Sequence, residues 1–355
     1  MLKWTGTNNV QVGVDKWFDA GFIFTSLSME EVIGGRFATG KIRMHSSGSD
    51  EALKMITDQK DIDLTLGDAN TGPSLNIHGV ITKRDYFDTS VVLEFECIPD
   101  IDFSRRKTIM TYDDIDTAIK SLWKGKIENR TQTDLPSGIK FHQANEYDCE
   151  YLGTLCGSYK KDTIFALGLD GLLIKDLIGK DSTGHDEPYW IITGKGDTMT
   201  PSENGPGTEK YTLLYDRKLY MEPEDYTDIS EYYDTRMFDD RYRLIGKDYT
   251  VLRENLMNNQ KIYGSGMYNQ QVLVKDDFFA TTYRLGDVVK YLRPGADETK
   301  VPWEVYIISK IQYFISTEPS KDQQGQPPFR QVYTLHCLQE KEATMPGVGS
   351  DPMDA

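Results

Sequence analysis

The sequence predicts a mainly β protein with an α+β insert. Apolar and polar residues alternate through the first hundred and the last hundred residues, the spacing turns helical between them, and 21 of 355 residues are tyrosine. Alternation with period two is the mark of half-buried strands. Tyrosine suits strands and contact surfaces, where one end of the ring stays wet. A chain this long exceeds one ordinary core, so two or three compact domains are expected.

The strands are read in order. Gly34, Gly35 and Gly40 punctuate the earliest ones. Ile62, Leu64 and Leu66 alternate with Asp61, Asp63 and Thr65. Leu75, Ile77 and Val80 suggest a strand with a glycine bulge at Gly79. Val91, Leu93, Phe95 and Cys97 form one face of the next strand, with Val92 and Ile98 as apolar exceptions on the other, and Pro99 closes the run.

After Arg105, Arg106 and Lys107 the period changes. Ile115, Ala118, Ile119, Leu122 and Trp123 make one helical stripe, Thr111 with Asp114 resembles a capping box, and Gly125 is a stop. A second helix is expected from Asn145 as cap, burying Cys149, Leu152, Leu155, Cys156 and Tyr159, with Lys160 and Lys161 at its C-terminal end. Asp170-Gly171, between apolar runs, predicts a hairpin with a type I′ turn.

Residues 179–209 are rich in small and polar residues, with a short strand expected at Tyr189 to Ile192 and a loop from Gly194 to Gly207. Tyr211, Leu213 and Tyr215 share a strand face, and 222–243 is acidic and tyrosine-rich without a period. Strands return at Trp303, Val305, Ile307, then Ile311, Tyr313, Ile315, then Tyr333, Leu335, Cys337, with a polar loop from Thr317 to Pro328. From Ala343 the tail reads as disordered. The expected units are residues 1–108 (β), 109–178 (a small α+β module), 179–244 (a loop-rich accessory region), 245–342 (β) and a tail at 343–355. Two β units flanking a module suggest a structural repeat, although no sequence repeat is visible.

The net charge of −16 opposes binding to nucleic acid or anionic membrane. It fits simple solubility, and it also fits a wall past which DNA slides without sticking. Met1 to Ala20 carries no basic start followed by an apolar run, and no stretch approaches the length of a membrane helix, so a soluble chain without a leader is expected. Cys97, Cys149, Cys156 and Cys337 form no CxxC pair, and small buried thiols made in a reducing cytoplasm are expected.

No HExxH, GxSxG, Walker loop or GxGxxG occurs, and His45, His78, His142, His185 and His336 are scattered. No catalytic residue, metal ligand or cofactor is expected. Among 56 acids a chance carboxylate pair is bound to occur, so acids alone single out no glycosidase centre. The one basic run, Arg105 to Lys107, is read as ending a strand or meeting an acidic neighbour rather than as a nucleic-acid site.

The most informative segment holds Gln143, Asn145, Glu146, Asp148, Leu152 and Leu155, followed by Asp170 and Gly171. It resembles a pattern in the central hub proteins of contractile phage-tail baseplates and in the hub half of VgrG spike proteins. There a strand ending in Gln leads through Asn or Gly, Glu, any residue and Asp into a helix, then into an apolar hairpin. The family often has Phe-Leu where this chain has Tyr151 and Leu152, and glycine before the hairpin where this chain has Lys160, Lys161 and Asp162. Leu285, Gly286, Asp287, Val288 and Val289 are similar to the Gly-Asp turn leading into the family's second barrel.

The resemblance implies two tail-tube-like β-barrel domains plus the smaller module. It also implies a non-enzymatic homotrimer that adapts a sixfold tail tube to a threefold spike around the DNA path. Its partners would be the spike or cell-puncturing protein, the tube protein and other baseplate wedge proteins. Its place would be the virion tail baseplate, assembled in the host cytoplasm. Two other readings stay open: a β-rich receptor- or glycan-binding tail module, suited by the aromatic content, and a carboxylate-based tail-associated hydrolase.

Overall fold

A computed structural model of the chain describes residues 3–5, 10–46, 48–68, 72–100, 102–103, 105–131, 140–157, 163–176, 179–180, 184, 190–193, 269–274, 284–292, 304–317 and 329–337. The expected loop 194–207, the strand at Tyr211 to Tyr215, the acidic stretch 222–243, most of the loop 317–328 and the tail from Ala343 lie outside the described residues, as does His185.

The first region supplies β1 (Lys3–Thr5), β2 (Val10–Val14), β3 (Ile23–Val32), β4 (Gly34–Phe37), β5 (Thr39–His45), β6 (Asp61–Asp68), β7 (Gly72–Phe87) and β8 (Ser90–Glu96). Two helices that alternation did not announce interrupt it, α1 (Asp15–Asp19) and α2 (Asp50–Asp58). Their signals are local. Trp17, buried on α1, packs edge-on against Phe22 with ring centroids 5.0 Å apart. Ser49 caps α2, its hydroxyl accepting from the Ala52 amide at 3.2 Å, and Ala52 and Ile56 form the buried face.

The expected alternations fall where the sequence places them. Ile62, Leu64 and Leu66 on β6 and Val91, Leu93 and Phe95 on β8 are all buried. The reading of Gly79 changes. The ladder between β6 and β7 is regular there, and its irregularity lies between Leu66 and Gly67. Gly79 instead makes room for an aromatic ring. A Cβ at Gly79 would stand 2.5 Å from Phe95 Cδ2, and one at Gly40 would stand 2.0 Å from Phe95 Cζ. The Phe95 ring thus lies over two bare backbone positions on neighbouring strands.

The middle region holds β9 (Lys107–Tyr112), α3 (Ile115–Leu122), β10 (Ile127–Arg130), β11 (Phe141–Tyr147), α4 (Asp148–Gly157), β12 (Thr163–Gly168) and β13 (Gly171–Asp176). The expected stripe of α3 is buried, but its cap is simpler than a capping box. Asp114 is itself the N-cap, accepting from the Thr117 amide at 2.7 Å, while Thr111 belongs to β9. β9 crosses the boundary expected at residue 108 and pairs only with β11 among the described strands.

The hairpin forms as read, with a different turn. Gly168 pairs with Gly171, so Leu169 and Asp170 make the loop, and only Gly171 (φ +121°) takes positive φ there. A type I′ turn needs positive φ at both loop residues and is therefore not used. The requirement for glycine comes from outside the hairpin. A Cβ on Gly171 would lie 2.3 Å from the Lys126 carbonyl oxygen, which accepts from the Leu172 amide at 2.9 Å and from Trp123 Nε1 at 2.9 Å.

The last region holds β14 (Trp190–Thr193), β15 (Asn269–Val274), β16 (Val288–Leu292), β17 (Glu304–Ser316) and β18 (Phe329–Cys337). The sequence divides residues 303–315 into two strands. The structure fuses them into β17, with a bulge at Ser309 between Ile308 and Lys310. The bulge marks a change of partner. β18 runs along one edge of β17 throughout, while the other edge pairs first with β16 and then with β3. Seven residue pairs, from Lys310↔Val32 to Ser316↔Ser26, therefore join the first and last regions into one sheet of twelve strands. A second sheet, in the order β10-β13-β12-β4, recruits β4 from the first region.

The large sheet has two unlike faces where β17, β3, β5 and β8 adjoin. Tyr313, Met29 and Phe95, with Ile315, Leu27, Ile42 and Leu93, are buried on one side. The other carries cross-strand rows Phe314, Ser28, Lys41, Glu94 and Gln312, Glu30, Thr39, Glu96. These rows floor an open trough of about 430 Å³.

No helix among the described residues is long and apolar enough to cross a membrane.

Candidate functional site

The candidate motif residues do not converge on a cleft. They tie the chain where β9, β11 and α4 meet. Gln143 is fully buried on β11. Its side-chain amide donates to the Glu146 carbonyl at 3.1 Å and to Asp148 Oδ1 at 2.8 Å, and its Oε1 accepts from the Tyr112 hydroxyl at 3.1 Å. Asp148 opens α4, where a carboxylate suits the helix dipole. It also accepts from Thr108 Oγ1 at 2.7 Å and from Arg106 Nε, while its own amide donates to the Arg106 carbonyl at 2.9 Å. Arg106, from the basic run, is thus a partner of the motif aspartate.

Asn145 is not a helix cap. It has φ +58° and sits in the bulge of β11, between the pairs Ala144↔Ile109 and Glu146↔Thr108. Asparagine tolerates the left-handed region better than most residues. The extra residue shifts the strand's facing by one, which keeps Gln143 buried and buries Glu146 as well. Leu152 and Leu155 are fully buried on α4, as are Cys156 and Tyr151, and the Tyr151 ring stacks on Tyr112 at 6.3 Å. The expected face residue Tyr159, and Lys160 and Lys161, lie outside the described residues. Asp170 pairs with Lys126 beside the Gly171 turn, apart from the Gln143–Asp148 knot. Replacing Asp148 by Ala is expected to cost about 1–3 kcal/mol, because Gln143 and Thr108 lose a buried acceptor. Urea unfolding of the variant checks this.

A second cluster, of which the sequence announced only the Leu285-Gly286-Asp287 turn, lies where the regions join. Asp287 is fully buried. Its Oδ1 accepts from Arg130 Nη1 at 2.7 Å and its Oδ2 from the Arg284 amide at 2.8 Å. Lys175, fully buried on β13, donates from Nζ to the Gly286 carbonyl at 2.7 Å. Gly286 takes φ +81°, and a Cβ there would stand 3.2 Å from Leu173, 3.3 Å from Ile164 and 3.4 Å from Lys175 of the module. The Leu285-Gly286-Asp287 turn that leads into β16 is thus clamped onto the module sheet. The same turn is tied to the bulge of β17, since the Gly286 amide donates to the Ile308 carbonyl at 2.9 Å and the Ile308 amide to the Asp287 carbonyl at 3.0 Å. The bulged Ser309 offers its carbonyl to the Ile33 amide at 2.9 Å, at the point where β3 gives way to β4. Burial raises the Asp287 carboxyl, and the adjoining Arg130 and Lys175 charges oppose that rise.

Glu31 is buried on β3, opposite Ile311 of β17. It accepts from the Leu169 amide at 3.0 Å and from the Tyr313 hydroxyl at 2.8 Å. Sequence alone hides this group, since an acid in an alternating strand reads as a surface position.

The thiols are inert packing. Cys97, Cys149 and Cys156 are buried thiols, and burial pushes Cys149 up to about 11 and the other two higher. The side chain of Cys337 lies outside the described residues. Among the described residues no three His, Cys, Asp or Glu side chains gather as a metal site.

No protein-family model matches the chain, and no curated protein matches it. Solved structures share its fold. The tail protein from Neisseria meningitidis MC58 superposes with a TM-score of 0.53 at 10% identity, over 93% of this chain and 96% of that one. The 43 kDa tail protein of prophage MuSo2 from Shewanella oneidensis gives 0.50 at 8% identity, over 88% and 92%. The E. coli c3393 protein is a type VI secretion component with structural similarity to the T4 tail proteins gp27 and gp5. It gives 0.50 at 11% identity, over 93% of this chain and 77% of that one. The chain therefore has the mainly β fold of tail proteins.

Proposed function

We propose that this chain is the structural hub subunit of a contractile-tail baseplate, working as a homotrimeric ring without catalysis. The observation that carries the reading is the β3–β17 ladder. It sets the first and last regions side by side in one sheet, with one face buried and the other polar. In this reading residues 1–108 and 245–342 are two tail-tube-like barrels within one subunit. The module 109–178 braces their joint, and 179–244 is an accessory region. Three subunits then present six similar β units around an axis. A sixfold tube fits one side of such a ring and a threefold spike the other.

The polar face is the candidate wall of the passage. Lys41 pairs with Glu94 at 3.0 Å and Lys310 with Glu30 at 3.0 Å, so acids and lysines offset one another there. The overall charge of −16 keeps the surroundings unattractive to phosphate, and DNA is passing cargo rather than ligand. The Gln143–Asp148 knot and the Gly171 turn serve as structural fasteners of the module. The partners are the spike or cell-puncturing protein, the tube protein and wedge proteins, in the virion baseplate assembled in the host cytoplasm.

The test is the native mass of the purified chain, alone and with the spike and tube proteins. A three-chain particle, or a complex with three copies per spike trimer, is expected. A single chain that joins neither component would overturn the reading.

A further inference from the structure

Glu31 stands where the three parts of the molecule touch. Its strand β3 belongs to the first region, Leu169 lies in the module turn between β12 and β13, and Tyr313 lies on β17 of the last region. Both donors to its carboxyl are neutral groups. Against it lies a cavity of about 50 Å³ that Glu128, Arg130, Asp170 and Arg284 also line. That is room for water, and so for a proton, to reach a buried acid.

We propose that Glu31 is a proton-operated bolt of the three-way joint, tight when its carboxyl is protonated and looser when it is ionised. Going beyond the hub reading, the device depends only on the joint. A neutral carboxyl keeps its acceptor for the Leu169 amide and donates its own O–H to the Tyr313 hydroxyl oxygen, since a phenol serves as donor or acceptor. An ionised carboxyl keeps both contacts but sits in a buried place that disfavours charge. The charged neighbours from each side are mixed. Arg284 attracts the carboxylate, Asp170 of the module turn repels it, and Asp287 is engaged by Arg130. Glu30 on the same strand faces the other side of the sheet, paired with Lys310. Cys97 stays a thiol and Tyr313 a phenol, both held protonated by burial, and Tyr333 stands beside Tyr313.

Burial is the largest influence on Glu31 and raises its carboxyl above the ordinary glutamate range. The folded chain therefore binds a proton that the open chain releases, between the ordinary value and the raised one. Stability contributed by that proton is complete below this window and is lost as pH rises through it.

The experiment compares the wild-type chain with Glu31→Gln from pH 4 to 8, reading hydrogen-exchange protection of the Leu169 amide and the thermal midpoint. The glutamine keeps shape and hydrogen bonds but cannot ionise. The wild type is expected to lose protection relative to the variant by up to tenfold per pH unit within the window, and to run parallel above and below it. Tyr313→Phe removes a donor to the carboxylate and should carry the window to higher pH. Parallel wild-type and glutamine profiles across the whole range, or a wild type that gains protection relative to the variant as pH rises, would overturn the proposal. Either outcome leaves the ring reading untouched, because oligomeric state is measured separately.

Discussion

Asp287→Ala is expected to lower stability by about 3–5 kcal/mol, the range for removing one partner of a buried charge pair. Among the described residues Arg130, whose side chain is 8% exposed, would keep only Glu128 at 2.7 Å, a residue nearer the surface. Lys175, with no exposure at all, would lose the Asp287 charge that offsets its own. The Arg284 amide would also lose its acceptor. Asp287→Asn should cost less, since the amide oxygen can still serve one of these donors. Urea midpoints of the two variants check the order. Equal midpoints for wild type and Asp287→Ala would mean that the turn before β16 is not clamped as described. Breaking this clamp should also loosen the joint between module and sheet, so ring assembly is expected to fall with stability.

Leu155→Ala is expected to cost about 2–5 kcal/mol, and Leu152→Ala a similar amount, through lost burial and the cavity left behind. Both leucines are fully buried on α4, which packs on α3, β11 and β12. Leu155→Met, which nearly conserves volume, should cost less than about 1.5 kcal/mol. A thermal midpoint of Leu155→Ala equal to that of the wild type would show that this face of α4 is not packed.

Strands were legible where one face met the core and the alternation was unbroken, as in Ile62, Leu64 and Leu66. Legibility failed where a residue answers to a neighbour far along the chain. Gly79 reads as a bulge because nothing local reveals the Phe95 ring above it. Gly171 reads as half of a type I′ turn because the Lys126 carbonyl that forbids a Cβ is 45 positions earlier. The helix α2 was masked by the strands around it, although Ser49 with Ala52 and Ile56 carried its signal. At the candidate site, the motif residues announced a strand-to-helix passage. The inversion of Asn145 from helix cap to bulge depends on the β9–β11 register, which no spacing encodes. Glu31, Arg130 and Lys175 were invisible because buried charges are exceptions to the patterns that find strands. They became readable only when β3, the module and β17 were brought together.

In the proposed ring, two β regions of one subunit lie side by side in a wall that copies of the chain close around an axis. Electron-microscope projections of the assembled tail, viewed down its axis with this subunit labelled, test that directly. Three labels evenly spaced around a central opening at the junction of tube and spike are the predicted result. A single label, or labels at the particle's periphery away from the axis, would contradict it.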